Sequence, residues 1–412
     1  MRRAALTAAA IAAIGLVAGC GSSAKTSSDA AATKKATGTP IVIGTVGGFT
    51  GAQASSQGGV PKALQAWADN VNATGGINGH PVNLIVKDLG DNLAGGLTAV
   101  KELVEQDHVV AIVGEQDNGD SSWASYIQST GVPVIGGLGI DLPFVQNPDF
   151  FAAGTNTFAL LFGLQMLAKQ NGPKLGVLYC AESPQCAGSV TLNQGIARAT
   201  GLQIPVNIKI SATAPDYTAV CQQLKSSGVQ SYFIADGSAI VLRVAQQCVQ
   251  DGLTAKMVSF DGSVTANWSS NPAINGMTAV EDDAPWFDSS TPAMQQFHTV
   301  ITKYAPSLGD LLGPNTFYSY VAGKLFEKAV SSIPSGSPIT PASIKSALYS
   351  LKGETLGGIA PPLTYTQGQA ALINCYFEMG QSNGQFTTVN GLSTSCAPDA
   401  LVNAIVSSLP KS

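Results

Sequence analysis

The chain has 412 residues, of which 45% are hydrophobic and only 11% are charged, and its formal net charge is −5. This length exceeds the usual size of one hydrophobic core, so two domains are expected. Because the basic residues are not clustered, the composition excludes nucleic acid as a partner.

The N-terminus predicts an exported protein. Arg2 and Arg3 precede an uncharged stretch, residues 4–19, that is too short to span a bilayer as a helix. The stretch ends in LVAG before Cys20, which matches the aliphatic-small-small-Cys pattern of a bacterial lipobox. The alternative is ordinary signal cleavage with an incidental cysteine. We predict a signal peptide at 1–19 and attachment to the outer face of the cell membrane through lipid on Cys20 alone.

The segment that follows Cys20 has a different composition. Residues 21–39 contain no aromatic or large aliphatic side chain, so they cannot bury a core. We therefore predict that residues 20–39 form a lipid-anchored flexible tether. As a random coil this tether spans roughly 24 Å.

Strands and helices alternate through the rest of the chain. Short β-rich runs predict buried strands, and apolar residues at helical spacing predict amphipathic helices between them. The first part has predicted strands at 41–46, 82–88, 109–114 and 132–136 and helices at 60–71, 94–106 and 121–129. The pattern then restarts, with strands at 174–179, 203–210, 231–235 and 256–260 and helices at 190–200, 217–227 and 238–250. Trp67 lies on the apolar face of the first helix and is predicted to be core.

This alternation predicts two α/β lobes, each with a parallel sheet and helices on both faces. Ligands of such sheets bind at the carboxyl ends of the strands, so the cleft between facing lobes is the expected site. The candidate loops are 47–57, 115–120, 136–142, 180–188, 236–238 and 261–265.

Six cysteines follow Cys20, and an even number in an exported protein suggests disulfides. The six residues allow 15 connectivities. The pairing favoured by proximity in the sequence is Cys180–Cys186, Cys221–Cys248 and Cys375–Cys396. Buried free thiols are the alternative.

Several segments resemble the type I periplasmic binding proteins of the Leu/Ile/Val-binding family. They are NATGGING at 72–79 with the strand 82–86 and Asp88, the strand 109–114 with its loop, GVPVI at 131–135, and the glycine-rich turn 357–367 before 375–380 and 385–386. The resemblance runs from about Pro40 to the C-terminus. It implies an α/β fold of two Rossmann-like lobes with parallel sheets joined by three hinge crossings, placed near 155–158, 282–287 and 364–368. The N-terminal lobe would comprise 40–156 plus 284–365, and the C-terminal lobe 157–283 plus 366–412.

The resemblance also implies a role. Such a protein captures a small molecule, here an amino acid or a similar small polar or amide-bearing metabolite, and delivers it to an ABC transporter permease in the membrane. We expect a monomer without cofactor. No nucleophile elbow, P-loop or metal-spaced histidine pair occurs, so we predict no enzyme, no catalytic residue and no metal site. The alternative function is an orphan ligand sensor or scaffold lipoprotein with the same fold.

In the first lobe, the resemblance places ligand contacts after strands three and four, where family members hold an amino acid with hydroxyls and main-chain amides. Asn118 takes the position of a serine that binds the ligand carboxylate, and Ile140 replaces a threonine. Unless they are paired, carboxylates near Asn118 would weaken the binding of an anionic ligand group. The same loops add Gln116, Gly137 and Gly139 to the candidate contacts.

In the second lobe, Asp261 matches the position of an acidic counter-charge to the ligand, with a solvated turn aspartate as the alternative. Asp236 and Ser238 lie where a contacting side chain is expected, or they cap the next helix. Ser55, Ser56 and Gln57 precede the first helix and are further candidates. They either contact the ligand or cap this helix. Trp286 and Phe287 lie at a predicted crossing, where packing of the hinge is favoured over lining of the cleft.

Overall fold

A computed structural model of the chain describes residues 36–182 and 184–409, without the side chains of Leu93, Pro184, Gln185 and Asp261. The predicted signal peptide, Cys20 and the tether as far as Lys35 lie outside the described residues. Within the described ranges, no helix combines the length and the apolar composition that crossing a membrane requires.

The first sheet consists of parallel strands in the order β2-β1-β3-β4-β5. Their bounds are β1 Ile41–Gly47, β2 Val82–Asp88, β3 Ala111–Val113, β4 Val134–Ile135 and β5 Phe150–Phe151. Ile43 at the centre of the sheet pairs with Leu84 on one side and Ala111 on the other. The sequence did not predict β5, because two residues of pairing leave no periodic pattern to detect.

The second sheet has the order β14-β13-β10-β9-β8-β6-β7, and β15 pairs with β13. The strands from β6 to β10 are Lys174–Cys180, Gln203–Ile210, Ser231–Ala235, Lys256–Phe260 and Thr278–Glu281. A small hairpin is formed by β11 Lys352–Glu354 and β12 Leu363–Thr364, and the last strands are β13 Cys375–Ser382, β14 Gln385–Thr388 and β15 Ser395–Cys396. The five strands from β6 to β10 run parallel to one another, and β13 and β14 extend this sheet antiparallel beyond β10.

Helices cover both faces of the two sheets. Those before the second sheet are α1 Ala54–Gln57, α2 Val60–Ala73, α3 Gly96–Lys101 with a π-helical turn Glu102–Gln106, α4 Ala124–Thr130, α5 Pro143–Gln146 and α6 Thr157–Asn171. Those within it are α7 Pro184–Thr200, α8 Thr218–Ser226 and α9 Ser238–Gln250. The rest are α10 Pro292–Tyr304, α11 Pro314–Ser331, α12 Pro341–Ser350 and α13 Asp399–Ser408.

Residues of the second sheet alternate between two separate cores, because successive side chains of a strand point to opposite faces. Val177 belongs to the core beneath α6, whereas its neighbour Leu178 belongs to the core beneath α8 and α9. The same alternation separates Phe233 from Ile234. The central residues of these two strands are therefore apolar on both faces.

The first sheet shares one continuous core with helices that come from the far end of the chain. α11 packs on α2, where Trp67 is buried and its ring lies edge-on to Phe326 at 6.2 Å. A Cβ atom at Gly323 would lie 2.5 Å from the Trp67 ring, so this close approach requires glycine. The prediction that Trp67 is core is confirmed.

The chain passes between the two sheets three times, as the predicted fold class requires. The passes lie between β5 and α6, between β10 and α10, and between β12 and β13. Hydrogen bonds join the first pass to the third: the Thr155 hydroxyl donates to Ile373 O at 2.8 Å, and the Tyr365 hydroxyl donates to Ala152 O at 2.6 Å. The residue at which each lobe begins and ends stays a prediction.

Disulfides join the three cysteine pairs favoured by sequence proximity. Cys180–Cys186 ties the end of β6 to the first turns of α7, and Cys221–Cys248 joins α8 to α9. Cys375–Cys396 joins β13 to β15. All three therefore stabilise the part of the chain that forms the second sheet.

Candidate ligand-binding site

The carboxyl ends of the two sheets meet across direct hydrogen bonds. The main-chain N–H of Ser238, at the start of α9, donates to the Ser56 hydroxyl in α1 at 3.1 Å. The Asn315 amide donates to Ser56 O and to Gly262 O, each at 3.2 Å. Three of the candidate loops, 47–57, 236–238 and 261–265, are thus brought together.

The Ser238 side chain is used within the second lobe. Its hydroxyl accepts a hydrogen bond from the Trp268 indole N–H at 2.8 Å and shares another with the Thr265 hydroxyl at 2.8 Å. The N-cap of α9 is Gly237, and no side chain caps this helix. The alternative that Asp236 or Ser238 caps α9 is therefore wrong, and ligand contact by Ser238 stays a prediction.

The residues predicted to precede the first long helix form the short helix α1 instead. The N-cap of α2 is Gly59 and receives no side-chain hydrogen bond, so the capping alternative is wrong here too. Ser56 bridges the lobes, and Ser55 Oγ lies 3.6 Å from the Cβ position of Gly237. Gln57 is buried with its Oε1 lacking a hydrogen-bond partner.

Glu115 ties the loop after β3 to the loop after β4. Its carboxylate accepts hydrogen bonds from Asp117 N at 2.8 Å and from Leu138 N at 3.0 Å. A Cβ atom at Gly137 would lie 2.3 Å from Glu115 Oε1, so glycine at this position allows the carboxylate to approach the loop. Gly137 and Gly139 are both buried here.

Three more carboxyl groups belong to this cluster. Asp117 accepts from Gly119 N and from the Trp123 indole N–H, both at 2.8 Å. Asp120 is fully buried and Asp141 half-buried, and the Oδ2 atom of each lacks a hydrogen-bond partner. We call Glu115, Asp117, Asp120 and Asp141 the acidic cluster.

Burial raises the pKa of each carboxyl in the acidic cluster, because a charged carboxylate loses hydration there. Neighbouring negative charges add to the effect: those of Asp141 and Asp117 raise the pKa of Glu115, and that of Asp117 raises the pKa of Asp141. The pKa of Asp120 is raised by burial and then by Asp141, Glu115 and Asp117.

Gln116 lies between two of these carboxylates in sequence. Its main chain continues the sheet, with N–H donating to Val46 O at 2.8 Å and O accepting from Gly48 N at 3.3 Å. The side chain is 0% exposed, and neither its amide oxygen nor its amide nitrogen has a hydrogen-bond partner. Asn118, the predicted carboxylate-binding position, is half-buried in the same loop and engaged in contacts of its own.

The second lobe contributes Asp236 at the end of β8. Burial raises its pKa to about 6, the Glu182 charge acts in the same direction, and the Arg243 charge opposes it. Its Oδ1 accepts from Gly237 N at 2.7 Å, and its Oδ2 has no partner. Asp261 begins the helical turn Asp261–Ser263 beside it, but its side chain lies outside the described structure.

The sequence identified the loops but not all of their polar groups. Glu115, Asp120 and Asp141 were not chosen as candidates, although an acidic loop at a strand end was visible. Trp286 packs edge-on against Phe287 at 5.7 Å and Phe386 at 5.6 Å, as the hinge-packing interpretation predicts. Within the described residues, no group of histidine, cysteine, aspartate or glutamate has the arrangement of a metal site.

Curated relatives match part of the chain. An amino acid binding protein of Pseudomonas aeruginosa is 26% identical over 238 residues, which cover 55% of this chain and 61% of that protein. A Leu/Ile/Val-binding protein homolog of Brucella abortus is 23% identical over 248 residues, 57% of this chain and 65% of that protein. The chain thus matches less than two thirds of the length of these relatives.

Solved structures match almost all of the fold. A branched-chain amino acid ABC transporter protein from Thermus thermophilus with bound valine has a TM-score of 0.78 at 16% identity, covering 89% of this chain and 98% of that one. A fatty acid ABC transporter substrate-binding protein from Thermomonospora curvata gives 0.73 at 18% identity, covering 90% and 96%. A solute binding protein from Rhodopseudomonas palustris in complex with p-hydroxybenzoic acid gives 0.71 at 18% identity, covering 87% and 98%.

These structures share the type I periplasmic binding protein fold and differ in the ligands that their names record. The fold class predicted from the sequence is therefore confirmed. The profile of the family described as "Periplasmic binding protein" matches residues 40–385, which is more than half of the sequence. The chain therefore belongs to the periplasmic binding protein family.

Proposed function

We propose that this protein is an extracytoplasmic solute-binding protein, anchored by lipid on Cys20, that captures a small polar molecule between its lobes and delivers it to an ABC permease. It performs no chemistry on the ligand. The observation that carries the proposal is the meeting of the two strand-end surfaces across Ser56, Ser238 and Asn315, in a fold whose chain passes three times between the sheets.

This arrangement supports closure as the response to ligand. Parallel sheets present their ligand-binding loops at the carboxyl ends of the strands. A molecule that touches both loops favours the closed arrangement by its difference in affinity for the two states. A permease that contacts both lobes would distinguish the closed protein from the open one.

Ligand binding is tested by thermal unfolding of the mature domain in the presence of a compound library. A ligand that binds only the native state at 100 times its Kd adds about 2.7 kcal/mol to the free energy of unfolding. Small-angle scattering with the strongest hit should show a smaller radius of gyration. If no compound among amino acids, amides, amines and carboxylic acids moves the midpoint, the solute-binding proposal fails.

The anchor and the delivery step need separate tests. Replacing Cys20 by Ser should move the protein from the membrane fraction to the medium, whereas Cys20 in the native sequence should incorporate labelled fatty acid. Uptake of an identified ligand by cells that lack the protein should fall. If the ligand binds but uptake is unchanged, the protein is instead a sensor or scaffold lipoprotein.

A further inference from the structure

Building on the proposed solute-binding function, we propose that the ligand presents a positively charged nitrogen, as an ammonium, amidinium or guanidinium group, to the acidic cluster after β3 and β4. A ligand carboxylate is excluded from this place. The inference rests on three features: several main-chain donors in these loops are already occupied, acceptors remain without partners, and none of the ion pairs among the described residues gives the cluster a counter-charge.

The donors that a carboxylate ligand would need are occupied by the protein itself. The main-chain N–H groups of Asp117 and Leu138 donate to the Glu115 carboxylate. The Gly119 N–H donates to Asp117 Oδ1. The Glu115 carboxyl therefore occupies main-chain donors of both loops that a bound anion would otherwise use.

Acceptor atoms remain at the same strand ends. Asp120 is 0% exposed and its Oδ2 has no hydrogen-bond partner. Asp141 Oδ2 is likewise without one. Independently of the acids, the fully buried amide of Gln116 has neither its donor nor its acceptor satisfied. Buried polar groups are ordinarily paired, so a set of unpaired acceptors in a ligand-binding loop indicates donors supplied from outside.

The acidic cluster also has no basic partner among the described ion pairs. Those pairs use lysines elsewhere, at Lys87, Lys324, Lys328 and Lys345. The charges that act on Asp120 are all negative, from Asp141, Glu115 and Asp117. An ammonium or amidinium group would supply both the missing positive charge and the missing N–H donors, with bonds stronger than those between neutral groups.

Isosteric probes of different charge test this inference. Putrescine, succinamide and succinate share a four-carbon skeleton and carry two positive charges, no charge and two negative charges. Acetamidine, acetamide and acetate repeat the series at smaller size. We expect thermal shifts and calorimetric binding with the cations of at least one series, weaker effects with the amides and none with the carboxylates.

The outcomes separate the two proposals. Binding of succinate or acetate in preference to the cations would overturn the charge inference and leave solute binding intact. If neither these probes nor the wider library gives a thermal shift or calorimetric binding, solute binding itself is contradicted. Binding of a cation that is unaffected by changes in the acidic cluster would also overturn the inference.

The matched variants are Asp120→Asn and Asp149→Asn. Asp149 is buried too, but it pairs with Lys345 at 2.9 Å outside the acidic cluster. Asp120→Asn should weaken binding of the cation about tenfold or more and raise the melting temperature of the free protein at pH 8. Asp149→Asn should lower the melting temperature and leave the Kd within twofold. If the role of Asp120 were purely structural, Asp120→Asn would lower the stability of the protein without selectively lowering its affinity for cations.

The pH dependence of the unchanged protein gives a test that needs no variant. A cation binds the ionised carboxylates, so its affinity should rise with pH through the range where Glu115, Asp117, Asp120 and Asp141 titrate. Binding should release protons, measured as a dependence of the calorimetric heat on the buffer. Affinity that falls as the pH rises would contradict the proposal.

Discussion

The strand ends of the two lobes differ in how their polar groups are satisfied. In the second lobe, the Ser238 hydroxyl, the Thr265 hydroxyl and the Trp268 indole N–H form a buried network with every member paired. In the first lobe, Asp120 and Gln116 are equally buried and leave polar atoms unpaired. The second lobe also contains the three disulfides.

The difference indicates a division of tasks. In the second lobe, the paired polar residues and the cross-links stabilise the structure around the strand ends. The first lobe keeps buried carboxyls whose charge lowers its own stability. Unpaired polar atoms occur at the strand ends of both lobes, as Asp236 in the second lobe shows, but only the first lobe gathers several buried carboxyls in one cluster.

The largest expected effect comes from removing the cross-link between α8 and α9. The double change Cys221→Ser and Cys248→Ser should lower the free energy of unfolding by roughly 3–4 kcal/mol, because the open chain gains conformational entropy in the unfolded state. Denaturant unfolding monitored by Trp268 fluorescence provides the measurement. Trp123 fluorescence in the first lobe is the control. Each signal is recorded in a variant in which Phe replaces the other three tryptophans. Equal destabilisation of both signals would show that the lobes unfold as one unit.

The acidic cluster should give the first lobe a distinctive pH dependence. Carboxyl groups whose folded pKa is raised bind more protons in the folded state, so stability is highest at low pH and falls as the pH rises from about 4 through the raised values. The slope is at most about 1.4 kcal/mol per pH unit for each proton. Melting temperatures between pH 4 and 9 would check it.

Asp120→Asn should flatten this profile, because it removes one of the groups that titrate. Ionisation of Asp236 should also lower the stability as the pH rises, and this contribution to the pH dependence levels off above its pKa of about 6. A stability that increases steadily from pH 4 to pH 8 would contradict the ionisation of buried acids as the cause.

The paired network of the second lobe should be costly to interrupt. Ser238→Ala leaves the Trp268 indole N–H and the Thr265 hydroxyl without this partner, at a cost of about 1–3 kcal/mol. The next residue along α9 is Ala239, which has no hydroxyl to offer in its place. Unlike the effect of the acids, this loss should be the same at pH 5 and pH 8. A loss that changes with pH would show that a titrating group also belongs to the network.

The smallest expected effect is on closure. Ser56→Ala removes the acceptor of the Ser238 main-chain N–H, a bond of roughly 0.5–1.5 kcal/mol that joins the lobes. The midpoint of unfolding should move little, but the Kd of any ligand should rise by roughly twofold to tenfold. Ser129→Ala, at an exposed position in α4 that is no candidate ligand contact, is the control. Equal effects of the two changes would remove Ser56 from the closing contact.

Much of the fold could be predicted because its longer parallel strands are β-rich runs that amphipathic helices separate. The strands at 203–210, 231–235 and 256–260 were predicted with their observed bounds. The two-residue strand Phe150–Phe151 could not be predicted, since its pairing depends on β4 rather than on any pattern of its own.

The candidate site was less predictable. Sequence position identified the strand-end loops, but the bond from Ser56 to Ser238 spans 182 residues and follows from the closed arrangement of the lobes. The burial of Asp120 and Asp141 likewise depends on the packing of loops from two strands. Local spacing carries no information about either.

The order of the elements along the chain also decides which core can begin to form first as the chain emerges from its N-terminus. The strands from β6 to β10 and the helices from α6 to α9 follow one another without interruption. By contrast, Trp67 on α2 packs against Phe326 on α11, and α11 follows all of these strands and helices in the chain. The β6–β10 part of the second sheet can therefore gather much of its core, and two of its disulfides, while the first sheet still exposes the apolar face that α11 will cover; β13 and β14 are added later. Until α11, which ends at Ser331, has emerged, the first sheet is the part of the protein most in need of protection from aggregation.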